Sequence, residues 1–257
     1  MHHSHIDRFA RGDSPVHRLD PRAKLVAVIA YTAVLISFDR YAVFALAPMA
    51  VAPLAALWFG RVPVTFALRR AAVLSPFILM LCLASPFYDR LPRALAFGPW
   101  QWAVAGGYLT AVNVAVKFTL SVLALTALTG TTIFASMLEA MRRLRLPRAL
   151  TMQIGLLYRY LFLLVDEAMR VRRARDFRGA ARAPTARRLA AAAGVIGGLF
   201  VRSLDRSERV HTAMAARGYR GESHGLDLAR WRRRDTALLL ATSAYLLACR
   251  WGLAAMT

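Results

Sequence analysis

The sequence predicts an all-α fold: a polytopic membrane helix bundle of about five spans, with a helical cytoplasmic insert between the last two spans. Two observations support this prediction. Of the 257 residues, 58% are hydrophobic, and they cluster into long runs. The 35 Lys and Arg residues outnumber the 14 Asp and Glu residues, for a formal charge of +21. This composition excludes a disordered chain, a small disulfide scaffold and an ordinary soluble enzyme.

Five apolar runs are candidates for membrane spans, because a bilayer core requires about 20 apolar residues in a helix. The first run is slightly short, and Arg22 and Lys24 are expected to extend it by reaching the membrane interface. The predicted spans are Ala23–Phe38, Tyr41–Phe59, Ala71–Tyr88, Val104–Gly130 and Thr236–Met256. The chain therefore divides into a cytoplasmic N-terminal arm (1–22), a bundle of four spans (23–130), an insert (131–234) and a C-terminal span (235–257).

Two further apolar stretches, Ala149–Val165 and Leu189–Val201, are not predicted to cross the membrane. The first contains the polar residues Gln153 and Arg159, and the second is only 13 residues long. We expect both stretches to form helices that pack against other protein, partly at the membrane surface.

The distribution of arginine predicts how the chain is oriented in the membrane. Segment 139–234 contains 22 of the 35 basic residues and 8 of the 14 acidic residues, a net charge of +14. Lys and Arg are enriched in cytoplasmic loops, so this segment is expected in the cytoplasm. Four preceding spans then place the N-terminus in the cytoplasm as well. The prediction is a multi-pass protein of the cell (inner) membrane.

The insert is predicted to be helical throughout. Thr131 or Thr132 is suited to cap a short helix that runs through Leu144. A long helix to about Arg175 and another to Arg217 follow. Proline or glycine marks the boundaries of these helices, at Pro147, Gly179, Pro184 and Gly218.

The two long helices of the insert end in similar sequences. These are Ala174-Arg175-Asp176-Phe177-Arg178-Gly179 and Ala216-Arg217-Gly218-Tyr219-Arg220-Gly221. Each combines a small residue, an aromatic residue and arginines whose guanidinium groups pair with carboxylates in a fixed geometry. Such an end is suited to dock in an acidic groove on a second protein. The alternative is a solvated basic helix end that only complements the helix dipole.

Three segments together resemble a known family. They are Asp13–Leu25, with its Asp20-Pro21-Arg22-Ala23-Lys24 stretch, Met137–Leu150, with Leu146-Pro147, and Ala213–Tyr219. Their sequences and their order resemble the T components of energy-coupling factor transporters, most closely the CbiQ family of cobalt uptake systems. The resemblance extends over nearly the whole chain.

The resemblance implies a non-catalytic subunit of an ATP-driven cobalt transporter. T components dock on two cytoplasmic ABC-type ATPases (CbiO-like), through helices that each end in an Ala-Arg-Gly-like motif. They also hold a substrate-binding S component (CbiM-like), sometimes with a small CbiN-like subunit. The implied context is cobalamin biosynthesis.

The resemblance also implies which residues couple this chain to the ATPases. The second motif corresponds to Ala216, Arg217 and Gly218, and the first to Ala174, Arg175 and Asp176. Asp176 stands where the family usually has Gly or Ser, so Phe177-Arg178-Gly179 is an alternative register for the first motif. Leu146 and Pro147 are implied to pack against the S component or within the bundle.

ATP hydrolysis by this chain itself is not expected. A Walker A loop needs a glycine-rich turn that ends in Lys-Ser/Thr. Neither of the two lysines, Lys24 and Lys117, follows a glycine. ATP and Mg²⁺ are therefore expected on partner subunits, and this chain is expected to bind no cofactor and to hold no catalytic residue.

Lys117 is the ionisable residue nearest to the middle of the fourth predicted span, one turn after Asn113. Such a residue is a candidate functional site. The interpretation we favour is structural, with Lys117 donating hydrogen bonds to backbone or to Asn113 inside the bundle. His2, His3 and His5 could bind cobalt or nickel. Their cytoplasmic position favours a flexible arm without a metal site.

Three other functions compete with that of a cobalt T component. A nickel or vitamin T component would share every feature above. A self-sufficient secondary transporter would need more polar groups in its spans than Lys117, Asn113 and a few hydroxyls. A nucleic-acid binder would fit the basic insert but has no aromatic stacking platform. We therefore expect membrane lipid, and no nucleic acid, among the partners.

Overall fold

The computed structural model describes most of the chain and contains two compact units. The described residues are 10, 12–39, 43, 46–88, 92–97, 100–177, 179, 184–220 and 231–254. One unit, here called the bundle unit, consists of Ile6–Ala140 and Asp227–Thr257. The other, the insert unit, consists of Met141–Leu226 together with Met1–His5.

The architecture is helical, as the sequence predicts. The described residues form eight α-helices, which are α1 (Pro21–Ser37), α2 (Val51–Phe59), α3 (Val64–Tyr88), α4 (Gly106–Thr131), α5 (Phe134–Arg143), α6 (Arg148–Phe177), α7 (Thr185–Ala216) and α8 (Arg233–Ala254). The boundaries that proline and glycine predict in the insert agree with these ends. Helix α6 begins directly after Pro147 and α7 directly after Pro184.

A short hairpin between α3 and α4 is an element that the sequence did not predict. Strands β1 (Pro92–Phe97) and β2 (Trp100–Ala105) are antiparallel, with Pro92 opposite Ala105 and Phe97 opposite Trp100. The fourth predicted span began at Val104, but α4 begins at Gly106. A short apolar run does not distinguish a strand from the start of a helix, which explains the difference.

Helix α4 lies at the centre of the bundle unit and contacts α1, α2 and α3. Half of its residues are buried, and small ones such as Ala124 and Ala127 let the neighbouring helices approach closely. Leu35, Met49 and Leu57, from α1, the turn before α2 and α2, complete the core against it. Helix α8 packs on α1.

The second predicted span, Tyr41–Phe59, is not one continuous helix in the described residues. A 3₁₀ turn at Pro48–Ala50 leads into the nine-residue α2. The three residues of the turn and the nine of α2 together rise by about 20 Å, which is less than the roughly 30 Å thickness of the hydrocarbon core. Carbonyls of this turn also accept hydrogen bonds from side chains of neighbouring helices. The Tyr31 hydroxyl donates to the carbonyl of Met49 at 2.9 Å, and the Tyr245 hydroxyl donates to that of Pro48.

In the described part of the chain, three helices are long and apolar enough to cross a membrane. These are α3 over Val64–Ser85, α4 over Gly106–Thr131 and α6 over Arg148–Phe177. Helix α3 begins at Val64, ahead of the predicted Ala71. By its length and composition alone, helix α6 could cross a membrane, although the sequence analysis assigned it to the insert. Its apolar first half is followed by a strongly charged second half that starts at Asp166.

Candidate coupling interface

Helix α7 ends in a Schellman motif, in which a residue with positive φ reverses the chain direction. The amide of Tyr219 donates to the carbonyl of Met214 at 3.0 Å, and the amide of Gly218 donates to that of Ala215 at 3.0 Å. Gly218 has a φ of +81°, which side chains with a Cβ rarely adopt. Arg217 occupies the cap position just before this glycine and is exposed.

Helix α6 ends in a closely similar way. Its last helical residue is Phe177, and Gly179 has a φ of +82°. The amide of Gly179 donates to the carbonyl of Asp176, three residues earlier, at 3.1 Å. In both helices, therefore, a glycine with positive φ is the second residue after the last helical one.

This geometry aligns the two helix ends in a particular register. It pairs Phe177 with Ala216 and Gly179 with Gly218. The residue between each pair is Arg178 in the first end and Arg217 in the second. Arg178 itself lies outside the described residues, so its pairing with Arg217 follows from its position in the chain.

Arg175, the arginine of the first predicted motif, is still inside the last turn of α6. Its guanidinium donates to Oδ1 of Asp176 from Nε at 3.2 Å and from a terminal nitrogen at 2.9 Å. Arg172 lies 3.9 Å from the other carboxylate oxygen. Asp176 therefore partly neutralises the charge of Arg175, whereas Arg217 is exposed.

The aromatic residues of the two ends differ in their surroundings. The Phe177 residue is 91% exposed at the end of α6. Tyr219 is half-buried, and its hydroxyl lies 2.8 Å from the sulfur of Met152 in α6. The similar sequences therefore do not form two identical docking surfaces. The α7 end is held against α6, while Phe177 projects from the α6 end.

An ion pair joins α6 to α7 within the insert unit. A carboxylate oxygen of Glu167 accepts from Arg202 of α7 at 2.7 Å, and the other oxygen accepts from Arg170 at 2.8 Å. Together with the contact between Tyr219 and Met152, this pair links α6 to α7.

Leu146 and Pro147 lie in the turn between α5 and α6. The amide of Leu146 donates to the carbonyl of Met141 at 3.2 Å, and Arg145 has a φ of +71°. The Pro147 carbonyl accepts from the amide of Leu150 at 3.1 Å, which starts α6. Both Leu146 and Pro147 are exposed and so are available to a partner.

Lys117 binds the C-terminal end of α1 in the bundle unit. Its ammonium group donates to the carbonyl of Phe38 at 2.6 Å and to that of Ile36 at 3.4 Å. The side-chain amide of Asn113 donates to the carbonyl of Asp39 at 3.4 Å, and Arg250 of α8 donates to that of Ser37 at 3.2 Å. These side chains bind carbonyls at and just after the end of α1, and the charges of Lys117 and Arg250 complement the negative end of its dipole.

At the opposite end of α1, Lys24 is buried rather than reaching the membrane interface as predicted. Its residue is 5% exposed, and its ammonium group donates to the carbonyl of Thr131 at 2.9 Å and to the hydroxyl of Thr132 at 3.3 Å. Asp20 and Asp235, which are also buried, interact electrostatically with it. No local sequence pattern predicts this cluster, because its members are far apart along the chain.

Metal-binding residues are not clustered in the described part of the chain. No group of three or more His, Cys, Asp or Glu side chains is close enough there to hold a metal ion. The histidines singled out in the sequence, His2, His3 and His5, lie outside the described residues.

Comparison with known proteins gives two kinds of match. The family model described as "CbiQ: Cobalt transport protein" matches residues 12–226, which is more than four fifths of the chain. Several curated proteins named "Energy-coupling factor transporter transmembrane protein EcfT" are similar over nearly their whole length. The protein from Lacticaseibacillus paracasei is 28% identical, covering 90% of this chain and 91% of its own. Those from Listeria innocua and Bacillus subtilis are 26% and 25% identical, each covering 92% of this chain and 93% of its own.

Proposed function

Since this chain belongs to the CbiQ family and is the transmembrane T component of an energy-coupling factor transporter, we propose that it transports cobalt ions in complex with two CbiO-like ATPases and a CbiM-like S component. A small CbiN-like subunit belongs to the same proposal. The chain is a non-catalytic membrane subunit. Its part is to pass the movement of the ATPases to the S component.

The observation that supports this proposal is the shared geometry of the α6 and α7 ends. In each, a glycine with positive φ follows an arginine, Arg178 or Arg217, that stands just beyond the helix. A guanidinium in that position can reach a carboxylate on another chain without competition from its own helix. Two such ends match two ATPase subunits. We therefore assign coupling to Phe177-Arg178-Gly179 and to Ala216-Arg217-Gly218, in place of Ala174-Arg175-Asp176.

Exposed apolar side chains support contact with lipid and with the S component. Val73, Phe77 and Met80 of α3 are each more than 70% exposed and share one helix face. Leu157, Leu161 and Leu164 form a similar stripe on α6. Exposure of such apolar faces to water is unfavourable, so a bilayer or an apolar partner is needed to cover them. Leu146 and Pro147 are proposed to contribute to the S-component contact.

The sequence supports the proposed location and the proposed energy source. The basic insert supports a position in the cell (inner) membrane with the N-terminus in the cytoplasm. The chain has no Walker A motif, which supports ATP and Mg²⁺ binding on the partner ATPases and no cofactor on this chain.

Cobalt as the substrate rests on the description of the family, "Cobalt transport protein". The names of the curated EcfT relatives mention no metal. A nickel or vitamin S component is therefore the alternative occupant of the same complex. Identification of the S component that co-purifies with this chain in mild detergent distinguishes these substrates.

The test of the coupling register is charge reversal at each helix end in the co-expressed complex. Arg178→Glu combined with Arg217→Glu places negative charge where an acidic groove is proposed. We expect at least a tenfold loss of co-purified ATPase. Arg175→Glu should retain most of it, because Asp176 already engages Arg175. Arg209→Glu, at an exposed position earlier on α7, is the matched control and should retain all of it.

Two results would contradict this proposal. If Arg175→Glu releases the ATPase and Arg178→Glu does not, the first register is the correct one. If the double variant binds ATPase as the unmodified chain does, the helix ends are not the coupling site.

A further inference from the structure

Three buried charged residues meet in one cluster of the bundle unit, at the N-terminal end of α1. Asp20, Lys24 and Asp235 are each at most 5% exposed, and they are the charged residues that are buried in the described part of the chain. Burying ions costs several kcal/mol for each unless they are paired, and an apolar substitute is often as stable. Such a cluster therefore points to a requirement for a defined arrangement rather than for stability.

The cluster connects the start of α1 to two segments that are far away in the sequence. Lys24 binds the carbonyl of Thr131 and the hydroxyl of Thr132, at the end of α4. Asp235, at the start of α8, accepts from the amide of Asp20 at 2.8 Å and from that of Arg232 at 2.7 Å. The bonds of Lys24 and of the Asp20 amide join the start of α1 to the end of α4 and to the start of α8. The bond from the Arg232 amide closes the first turn of α8.

A second layer of contacts surrounds the cluster. Arg22 donates to the two carboxylate oxygens of Asp20 at 3.1 and 3.0 Å. Its guanidinium carbon lies 5.5 Å from the centre of the Trp231 ring, which suits a cation–π contact. The Trp231 indole donates to the hydroxyl of Thr236 at 2.9 Å. The segment before α8 is therefore held from both sides.

These two segments, the end of α4 and the start of α8, lie close in sequence to where the insert unit begins and ends. The chain passes from the bundle unit to the insert unit after Ala140, shortly after Thr132, and returns at Asp227, shortly before Arg232. Because both connections are covalent, a displacement of the insert unit would act on them. The start of α1 is thus bonded to both connections through Asp20 and Lys24.

We propose that Asp20, Lys24 and Asp235 are positioning residues that anchor both connections of the insert to the bundle, so that movement of the insert displaces the membrane helices as one body. This inference rests on the proposed coupling function. Without these contacts, the two connections move independently of the membrane helices. ATP is then hydrolysed with less Co²⁺ uptake per ATP.

The test uses the complete complex in lipid vesicles, with ATP hydrolysis and Co²⁺ uptake measured together. Lys24→Met with Asp235→Asn removes one buried charge of each sign at once, and Asp20 keeps its salt bridge to Arg22. Methionine fits the site, because Lys24 also lines an apolar cavity with Tyr31 and Leu238. We expect the double variant to assemble and hydrolyse ATP, with at least a tenfold lower Co²⁺ uptake per ATP. Unchanged uptake per ATP overturns the proposal.

A milder pair of variants decides the question if the double variant does not assemble. Thr132→Val removes one of the two acceptors of Lys24, and Thr132→Ser keeps it. We expect about a threefold lower uptake per ATP for Thr132→Val, with Thr132→Ser close to the unmodified chain. Equal values for all three overturn the anchor.

The outcome for the unmodified chain separates the two proposals. Suppose that the unmodified complex takes up Co²⁺ with ATP and that the Arg178→Glu and Arg217→Glu double variant does not. If the anchor variants then have the same uptake per ATP as the unmodified complex, only the anchor proposal is wrong. If the unmodified complex takes up no Co²⁺ with ATP, the proposed cobalt transport fails, and the anchor inference fails with it.

Discussion

At the scale of single residues, two glycines determine where the long helices of the insert unit end. Gly179 and Gly218 both have φ near +80° and have open space where a Cβ would lie. The requirement for glycine there comes from the backbone angle rather than from packing. Arg217, the residue before Gly218, consequently lies at the cap position just past the last helical residue of α7.

The same substitution at a glycine just after α7 and at one inside α7 should therefore have opposite effects. Gly218→Ala forces a Cβ into the left-handed region and should lower the free energy of unfolding by about 1–2 kcal/mol. Gly197→Ala, inside the helix and with nothing within 4 Å, should raise it by up to about 1 kcal/mol. Thermal unfolding in detergent, followed by circular dichroism, measures both. Shifts of the same sign would show that φ at Gly218 is not the controlling factor.

At the scale of elements, α1 is capped at both ends by side chains of the bundle unit. Asp20 caps its N-terminus, with Oδ1 accepting from the amide of Arg22 at 2.8 Å. Its C-terminal carbonyls bind Lys117 of α4 and Arg250 of α8. The contacts of Lys117 therefore explain why an ionisable residue lies in a predicted span. Together with the contact of Arg250, they join α1, α4 and α8.

We expect Lys117→Met to lower the free energy of unfolding by about 1–3 kcal/mol, because it leaves the carbonyls of Ile36 and Phe38 without their donor. Arg159→Met, a comparable loss of positive charge at an exposed position of α6, should change it by no more than about 0.5 kcal/mol. Denaturation of both variants in the same detergent gives the comparison. An equal, small effect of the two changes would mean that water satisfies the α1 end equally well.

At the scale of the whole molecule, the two units differ in how far they bury their own side chains. Thirteen residues of α4 in the bundle unit are buried. None of the 32 residues of α7, all of which the structure describes, is buried. Much of the insert unit is therefore stabilised by few contacts of its own, as suits a segment that other subunits are proposed to cover.

Amide hydrogen exchange should show this difference. In the isolated chain, we expect α7 to exchange faster than the middle of α4, because few buried contacts oppose its local opening. Addition of the ATPase subunits should slow exchange at the C-terminal end of α7. The Arg178→Glu and Arg217→Glu double variant provides the control, since its α7 should remain fast. Equal protection of α7 and α4 in the isolated chain would contradict this view.

Much of the fold and part of the candidate site could be predicted from the sequence. The helical class depends on the length of the apolar runs, and the boundaries at Pro147 and Pro184 depend on a ring that has no amide hydrogen. The twin helix ends were visible as a repeated pattern of small, basic and aromatic residues. The hairpin before α4 was missed, and the continuous helix within the second predicted span is shorter than expected, because apolar composition alone does not distinguish a span from shorter apolar elements.

The sequence by itself determined the membrane class, the basic insert and the places where its helices stop, because each depends on neighbouring residues or on composition. Only the tertiary structure decided which residues meet. Lys24 and Thr131 are 107 residues apart, and Asp20 and Asp235 are 215 apart, yet both pairs are in hydrogen-bond contact. It also brought out the correspondence of Gly179 with Gly218, since backbone angles and hydrogen bonds define where a helix ends. Contacts between distant residues arise from packing, which no local pattern specifies.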